Sequence, residues 1–94
     1  MQRFRLLILE PFSRYYRRLE RHEQVEAQRI LDSLVIDPYI DNVAKYTVEG
    51  PNGRITYYDG ELVWVSYRLT DSDEVTVMAC GPHRPRIPSP GRLL

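Results

Sequence analysis

The chain is poor in the residues that form disulfides and zinc sites. Its 94 residues include one cysteine, Cys80, and two histidines, His22 and His83, which lie far apart. A single cysteine cannot form an intramolecular disulfide, and this residue set offers no metal-ligand spacing. We therefore expect no structural metal and no cofactor, and we expect a cytoplasmic protein.

Long apolar runs and a net charge are also missing. The run Leu6–Leu9 is far too short to span a membrane, and Glu10-Pro11 interrupts it at once, unlike a signal peptide. Thirteen basic and 13 acidic residues balance to zero, which argues against strong binding to bare nucleic acid. Both ends of the chain are basic and its middle is acidic, so the composition still allows a local phosphate-binding surface.

The N-terminal part carries the patterns of one strand and two helices. Phe4–Leu9 is an apolar run typical of a buried strand, and Pro11 suits the first turn of a helix. Apolar residues then recur at i, i+3, i+4 and i+7, namely Phe12, Tyr15, Tyr16 and Leu19. A second helix is predicted by Ala27, Ile30, Leu31, Leu34 and Val35. It ends at Asp37-Pro38, and the joint between the helices is expected at residues 21–23.

A basic stripe runs along the predicted first helix, opposite its apolar stripe. It consists of Arg14, Arg17, Arg18 and Arg21. Two i,i+4 pairs in it carry like charges, and each pair costs about 0.2–0.5 kcal/mol in an isolated helix. A phosphate backbone or an acidic partner segment would offset that repulsion. The simpler interpretation is a solvated helix face.

The C-terminal half reads as strands joined by turns. Tyr46–Val48 suggests a short strand and Gly50–Gly53 a turn, and three strands are predicted at Ile55–Tyr58, Leu62–Leu69 and Glu74–Cys80. Asp59-Gly60 predicts a tight hairpin. From Pro82 onward four prolines in 13 residues exclude a helix or central strand and predict an extended basic tail.

Alternation along the last two strands separates two faces. The apolar set is expected to pack under the helices and comprises Val63, Val65, Tyr67, Leu69, Val75, Val77 and Ala79. The other set is expected to face away and comprises Leu62, Trp64, Ser66, Arg68, Thr76, Met78 and Cys80.

This order of elements and several local motifs resemble the RelE/ParE superfamily of toxin–antitoxin toxins. The motifs are Glu10-Pro11, Asp37-Pro38, Tyr58-Asp59-Gly60, Val63–Leu69 with its characteristic Tyr67, and Val75–Arg84 with its terminal His-Arg. The resemblance implies a single RelE-like α+β domain over residues 1–81. An N-terminal strand and a two-helix hairpin precede a three- to four-stranded antiparallel sheet packed on the helices. The Pro-rich basic tail occupies 82–94, and a cognate antitoxin that wraps the toxin is the implied partner.

For RelE-type members the resemblance implies a ribosome-dependent endoribonuclease that cuts mRNA and inhibits translation. Cleavage by 2′-OH attack needs a base, an acid and a cation that stabilises the phosphorane. We expect the catalytic set on the open sheet face to be Arg54, Arg68, His83 and Arg84. RNA contacts are expected from Trp64, which would stack a base, and from Tyr58, Arg14, Arg17, Arg18 and Arg21.

Other interpretations of the same residues compete with this one. Tyr58 and Trp64 replace arginines found in many RelE-type members, and Pro85 follows Arg84 where many carry Tyr or His. These differences favour a ParE-like toxin acting on DNA gyrase, or a catalytically degenerate toxin that binds only its antitoxin; Arg84 would then be dispensable. A third hypothesis is an interaction module that uses the face around Trp64. In purely structural terms Trp64 is a packing residue and His83 belongs to a solvated loop, while Tyr67 and Cys80 belong to the core.

Overall fold

The computed structural model describes residues 3–39 and 44–83, which contain two helices and five strands. Strand β1 spans Arg5–Ile8, helix α1 spans Glu10–Arg18, and helix α2 spans Arg21–Ile36. The strands that follow are β2 Lys45–Gly50, β3 Gly53–Asp59, β4 Val63–Asp71 and β5 Glu74–Pro82. Neither of these helices has the length and apolar character needed to cross a bilayer. Arg84 and the rest of the predicted tail lie outside the described residues.

The five strands form one mixed sheet in the order β1-β5-β4-β3-β2. Strands β2 to β5 pair as successive antiparallel hairpins. β1 joins parallel to β5 at the other edge, with Leu7 opposite Thr76. The predicted α+β class and element order are confirmed, and β1 adds one parallel strand to the four antiparallel ones. The α1–α2 hairpin carries the chain across one face of the sheet from β1 at one edge to β2 at the other.

The hydrophobic core lies between the two helices and one face of the sheet. Phe12 of α1 and Leu34 of α2 are buried against strand residues such as Val65. Tyr67, predicted to face the core, is 1% exposed. Its hydroxyl donates a hydrogen bond of 2.8 Å to the Pro38 carbonyl oxygen. This bond satisfies a buried polar group and ties the segment after α2 to β4.

The joint between the helices lies earlier than predicted. α1 ends at Arg18, and Glu20 is the N-cap of α2. The backbone N–H of Glu20 donates to the Glu23 carboxylate at 2.8 Å, and the Glu20 side chain accepts from the Glu23 backbone in return. This capping box starts a new helix at Arg21. The prediction of four arginines on one helix is therefore wrong, and Arg17 and Arg21 form no intrahelical pair.

A register shift in β5 overturns the predicted faces of its last residues. Tyr67 lies opposite Val77, whereas Ser66 lies opposite Ala79, so Met78 is the extra residue of a bulge. Beyond the bulge the alternation reverses, because a shift of one residue moves each side chain to the other face. Cys80 therefore enters the core, where it is 1% exposed, and Ala79 joins the open face. Leu69, also predicted in the core, is 44% exposed near the end of β4.

The β2–β3 hairpin is the one predicted from Gly50–Gly53. Gly50 and Gly53 are the last paired residues, and the turn lies between them. Gly53 has a φ of 112°, a conformation that side chains with a Cβ rarely adopt. The short strand suggested at Tyr46–Val48 is confirmed as part of β2.

The hairpin predicted from Asp59-Gly60 is confirmed between β3 and β4. β3 ends at Asp59, and the Gly60 N–H donates to the Val63 carbonyl oxygen at 2.8 Å. Glu26 of α2 closes the turn, because its Oε1 accepts from the backbone N–H groups of Leu62 at 2.7 Å and Val63 at 2.9 Å. A Cβ at Gly60 would overlap that same carboxylate oxygen. Helix α2 thereby holds the turn that leads into the central strand.

Replacing Glu26 with alanine should destabilise the protein, because two backbone N–H groups lose their carboxylate acceptor. We expect the free energy of unfolding to fall by about 1–2 kcal/mol, measured by urea unfolding followed by circular dichroism. Glu26→Gln keeps a carbonyl oxygen as acceptor and should lose less than half as much. Equal losses in the two variants would contradict the capping role.

Candidate functional site

A row of aromatic side chains crosses the open face of the sheet, which is the face away from the helices. Tyr46 of β2 stacks on Tyr57 of β3 with ring centroids 5.5 Å apart and planes 13° apart. Tyr57 in turn contacts Trp64 of β4 at 5.8 Å. Burial, followed by the charge of Asp59, raises the pKa of Tyr46, so its hydroxyl stays neutral. We call these three side chains the aromatic row; it offers flat, partly exposed ring surface.

The indole of Trp64 lies over the backbone of Gly81. The two residues are cross-strand partners in β4 and β5. A Cβ at position 81 would come within 2.6 Å of the indole Cζ2 and 2.8 Å of Nε1. Real side chains never approach so closely, so a glycine is required at this position for the ring to keep its place. Tyr57 and the bare backbone of Gly81 thus both contact the indole and hold it in place.

A histidine–carboxylate pair lies at the β4 end of the aromatic row. Asp59 is the cross-strand partner of Trp64 and so shares its face. His83 follows β5, and its backbone N–H donates to the Leu62 carbonyl oxygen at 2.8 Å. The imidazole Nε2 lies 2.8 Å from Asp59 Oδ1, within ion-pair distance. That oxygen is buried and accepts no well-aligned hydrogen bond within the described residues. A carboxylate beside Nε2 favours a proton on that nitrogen, which leaves Nδ1 as a proton acceptor.

A groove of about 500 Å³ lies beside Trp64, between α1 and β5. It exists because β1 pairs only with the first half of β5, up to Val77. The groove is lined by Tyr15, Arg18, Leu19, Trp64, Ala79, Cys80, Gly81 and Pro82. Most of this lining is apolar. Arg18 is the one charged residue among the described lining, and its side chain makes no ion pair or hydrogen bond within residues 3–39 and 44–83.

The predicted catalytic residues separate into two groups. Arg68 occupies the same face as Trp64, and its Nε donates to the Arg54 carbonyl oxygen at 3.2 Å. The side chain of Arg54 instead pairs with Glu49 at 2.9 Å, and strand alternation places it on the helix side. The structure therefore places His83 and Arg68 on the open face, about 20 Å apart along β4, and Arg54 on the opposite face. Arg84 lies outside the described residues.

Tyr58, predicted to contact RNA, also lies on the helix side of β3. It packs against the hydrophobic core, and its ring centroid is 5.7 Å from the Lys45 ammonium. The open face carries its neighbours Tyr57 and Asp59 instead, which sequence reasoning missed. Alternation carried across the two predicted hairpins would have found them, because Tyr57 and Asp59 have the parity that matches Trp64.

The helix arginines, predicted as one RNA-binding stripe, are spread over different surfaces. Arg14 lies 3.7 Å from the Glu10 carboxylate, and Arg18 lines the groove beside Trp64. Arg17 and Arg21 border two other surface depressions. The break between the helices separates Arg21, the first residue of α2, from the three arginines of α1.

One group of side chains in the described part of the chain brings possible metal ligands together. Ligand atoms of Glu20, His22 and Glu23 lie within 4.8 Å of one another. Glu20 and Glu23 already form the capping box of α2, so their carboxylates serve the backbone. The group is explained by the start of the helix.

Solved structures of other proteins share this fold. A chain of the archaeal RelE–RelB complex from Pyrococcus horikoshii OT3 aligns with a TM-score of 0.70 and 16% identity, covering 92% of this chain and 100% of that one. The conserved hypothetical protein HP0894 from Helicobacter pylori aligns with a TM-score of 0.59 and 15% identity, covering 85% and 94%. No family model and no curated protein matches the sequence. The likeness establishes a RelE-like fold.

Replacing Gly81 with alanine should move the indole of Trp64, because the new Cβ would occupy the space of the ring. Trp64 is the only tryptophan, so its emission reports this position directly. We expect a change in emission maximum or intensity in the folded variant. Gly50→Ala in the distant β2–β3 hairpin is the matched control and should leave the emission unchanged. An unaltered spectrum for Gly81→Ala would contradict the close packing.

The Cys80 thiol should be inert in the folded protein. Burial raises its pKa to about 11, so roughly 0.1% is thiolate at pH 8, against about a quarter in an unfolded chain whose cysteine has a pKa of about 8.5. We expect a thiol-reactive disulfide reagent to act at least about 200-fold more slowly on the native protein than in urea. Comparable rates would show that the groove exposes the sulfur.

Proposed function

We propose that this protein is a RelE-like toxin of a toxin–antitoxin pair, and that it cleaves mRNA on translating ribosomes in the cytoplasm. The observation that carries the proposal is the His83–Asp59 pair on the open face of a RelE-like fold, next to Trp64. A histidine oriented by a carboxylate is a common general base near neutral pH. The RelE–RelB complex, one chain of which shares this fold, supports an antitoxin as the partner.

In the proposed reaction the 2′-hydroxyl of a nucleotide attacks the adjacent phosphorus. His83 Nδ1 takes the hydroxyl proton while the 2′-oxygen–phosphorus bond forms. The bond from phosphorus to the 5′-oxygen breaks, and that oxygen takes a proton from water. The products are a 2′,3′-cyclic phosphate and a 5′-hydroxyl. Asp59 acts as a positioning residue in this proposal, because a carboxylate 2.8 Å from Nε2 favours the tautomer that carries its proton there.

Cations and rings have further roles in the proposal. Arg84, the residue after His83 in the sequence, stabilises the charge that develops on the phosphorane. Arg68 shares the open face but lies six residues along β4 from Leu62, about 20 Å away, so it holds a more distant phosphate of the bound RNA. Trp64 stacks a base of the bound mRNA. Arg14, Arg17 and Arg21 are exposed on the helical hairpin, where they would hold phosphates of ribosomal RNA.

A second candidate is a ParE-like or catalytically degenerate toxin that binds DNA gyrase or its antitoxin and cuts no RNA. The position of Arg54 favours it. This arginine is paired with Glu49 and separated from His83 by the thickness of the sheet. Within the described residues Arg68 is then the arginine of the predicted catalytic set that shares the open face with His83.

Induction of the chain in a bacterial host should arrest growth and create new mRNA 5′ ends inside translated regions. His83→Ala should abolish both effects, and should lower cleavage on purified translating ribosomes by about 10²–10⁴-fold, the contribution of a general base. The substitution lies at the exposed end of β5 and should leave the fold intact. His22→Ala, at the exposed start of α2, is the matched control and should retain both effects.

Three results would contradict the nuclease. Growth arrest without new 5′ ends would favour the second candidate. Cleavage that persists in His83→Ala would remove that residue from the chemistry. Normal growth with soluble, folded protein would contradict both toxins and favour an interaction module.

A further inference from the structure

The groove beside Trp64 takes no part in the proposed proton transfers, yet it adjoins them. Pro82 lines the groove, and His83 follows it directly in the chain. The volume of about 500 Å³ falls within the roughly 300–1,000 Å³ typical of small-ligand sites. A molecule in the groove would therefore lie close to the His83–Asp59 pair.

The described lining of the groove combines two aromatic side chains, Tyr15 and Trp64, with the unpaired guanidinium of Arg18. Tyr15 on α1 is 43% exposed, and Trp64 on β4 is half-buried. Aromatic faces of this kind stack bases without regard to sequence. Arg18 has no partner within the described residues, and no acidic side chain is among those that line the groove. An unpaired guanidinium beside aromatic rings complements a phosphate attached to a planar base.

We infer that the groove binds one nucleotide of a single-stranded RNA, with its base against Tyr15 and Trp64 and its phosphate on Arg18. The inference rests on the proposed function and deepens it, since it names residues that hold a nucleotide next to the scissile one. Trp64 is already fixed by Tyr57 and Gly81, so binding loses little side-chain freedom there. A helical peptide, the competing occupant, would insert apolar anchors at i, i+3, i+4 and i+7. Such anchors offer no partner for the guanidinium of Arg18.

Fluorescence of Trp64, the only tryptophan, gives a direct test on the purified protein. The probe is a 2′-O-methyl RNA tetranucleotide, which cannot be cut by 2′-OH attack. It should quench the emission, and Arg18→Ala and Tyr15→Ala should each weaken the apparent Kd roughly tenfold. Arg18→Ala should also reduce the salt dependence by about one phosphate contact. Arg18→Lys, which keeps the charge, should retain most of the binding.

Arg29→Ala is the matched control, because it removes one exposed arginine of α2 that does not line this groove. It should change the Kd less than twofold. An absence of quenching, or equal losses in Arg18→Ala and Arg29→Ala, would overturn the inference. Quenching by an acidic amphipathic peptide but not by the tetranucleotide would also overturn it and assign the groove to a protein partner. No ribosome is needed, so failure here with mRNA cleavage intact leaves the proposed function standing.

Discussion

The register of β5 on β4 is the constraint on which the open face depends. Without the bulge at Met78, Cys80 would lie opposite Trp64, as the simple alternation predicts. The extra residue instead moves Gly81 to that position and sends Cys80 into the core. Only the small glycine leaves room for the indole. One inserted residue thus decides both how the core closes at the end of β5 and where the largest ring of the open face lies.

The same register of β5 on β4 also places His83 beside Asp59, the pair on which the proposed chemistry depends. β5 continues through Pro82 opposite Val63, so His83 emerges beside the β3–β4 turn. Glu26 holds that turn from beneath through two backbone hydrogen bonds. Asp59, the last residue of β3, is then within 2.8 Å of the imidazole. Helix α2, the turn and the end of β5 together position a pair of residues that lie 24 apart in the numbering.

Charge in this protein acts through local pairing, because the formal net charge is zero. Arg54 and Arg14 are each close to a carboxylate, whereas Arg18 has no such partner in the described part of the chain. Exposed ion pairs contribute little to stability. The unpaired cation beside a mostly apolar groove is therefore the observation from which we infer an anionic ligand there.

The sequence by itself determined the α+β class, the order of the elements, the Gly50–Gly53 turn and the burial of Tyr67, because these follow from local propensity and from unbroken periods of 3.6 and 2. Strand alternation was also sufficient to predict that Tyr57 and Asp59 share the open face with Trp64. The tertiary structure alone decided the break at Glu20, the bulge at Met78 and the neighbours of His83. A capping box competes with continued helix, and a bulge is stabilised by packing on both faces of a sheet. Periodicity cannot settle either case, because the apolar pattern is compatible with a continuous helix and with a broken one, and with a regular strand and with a bulged one.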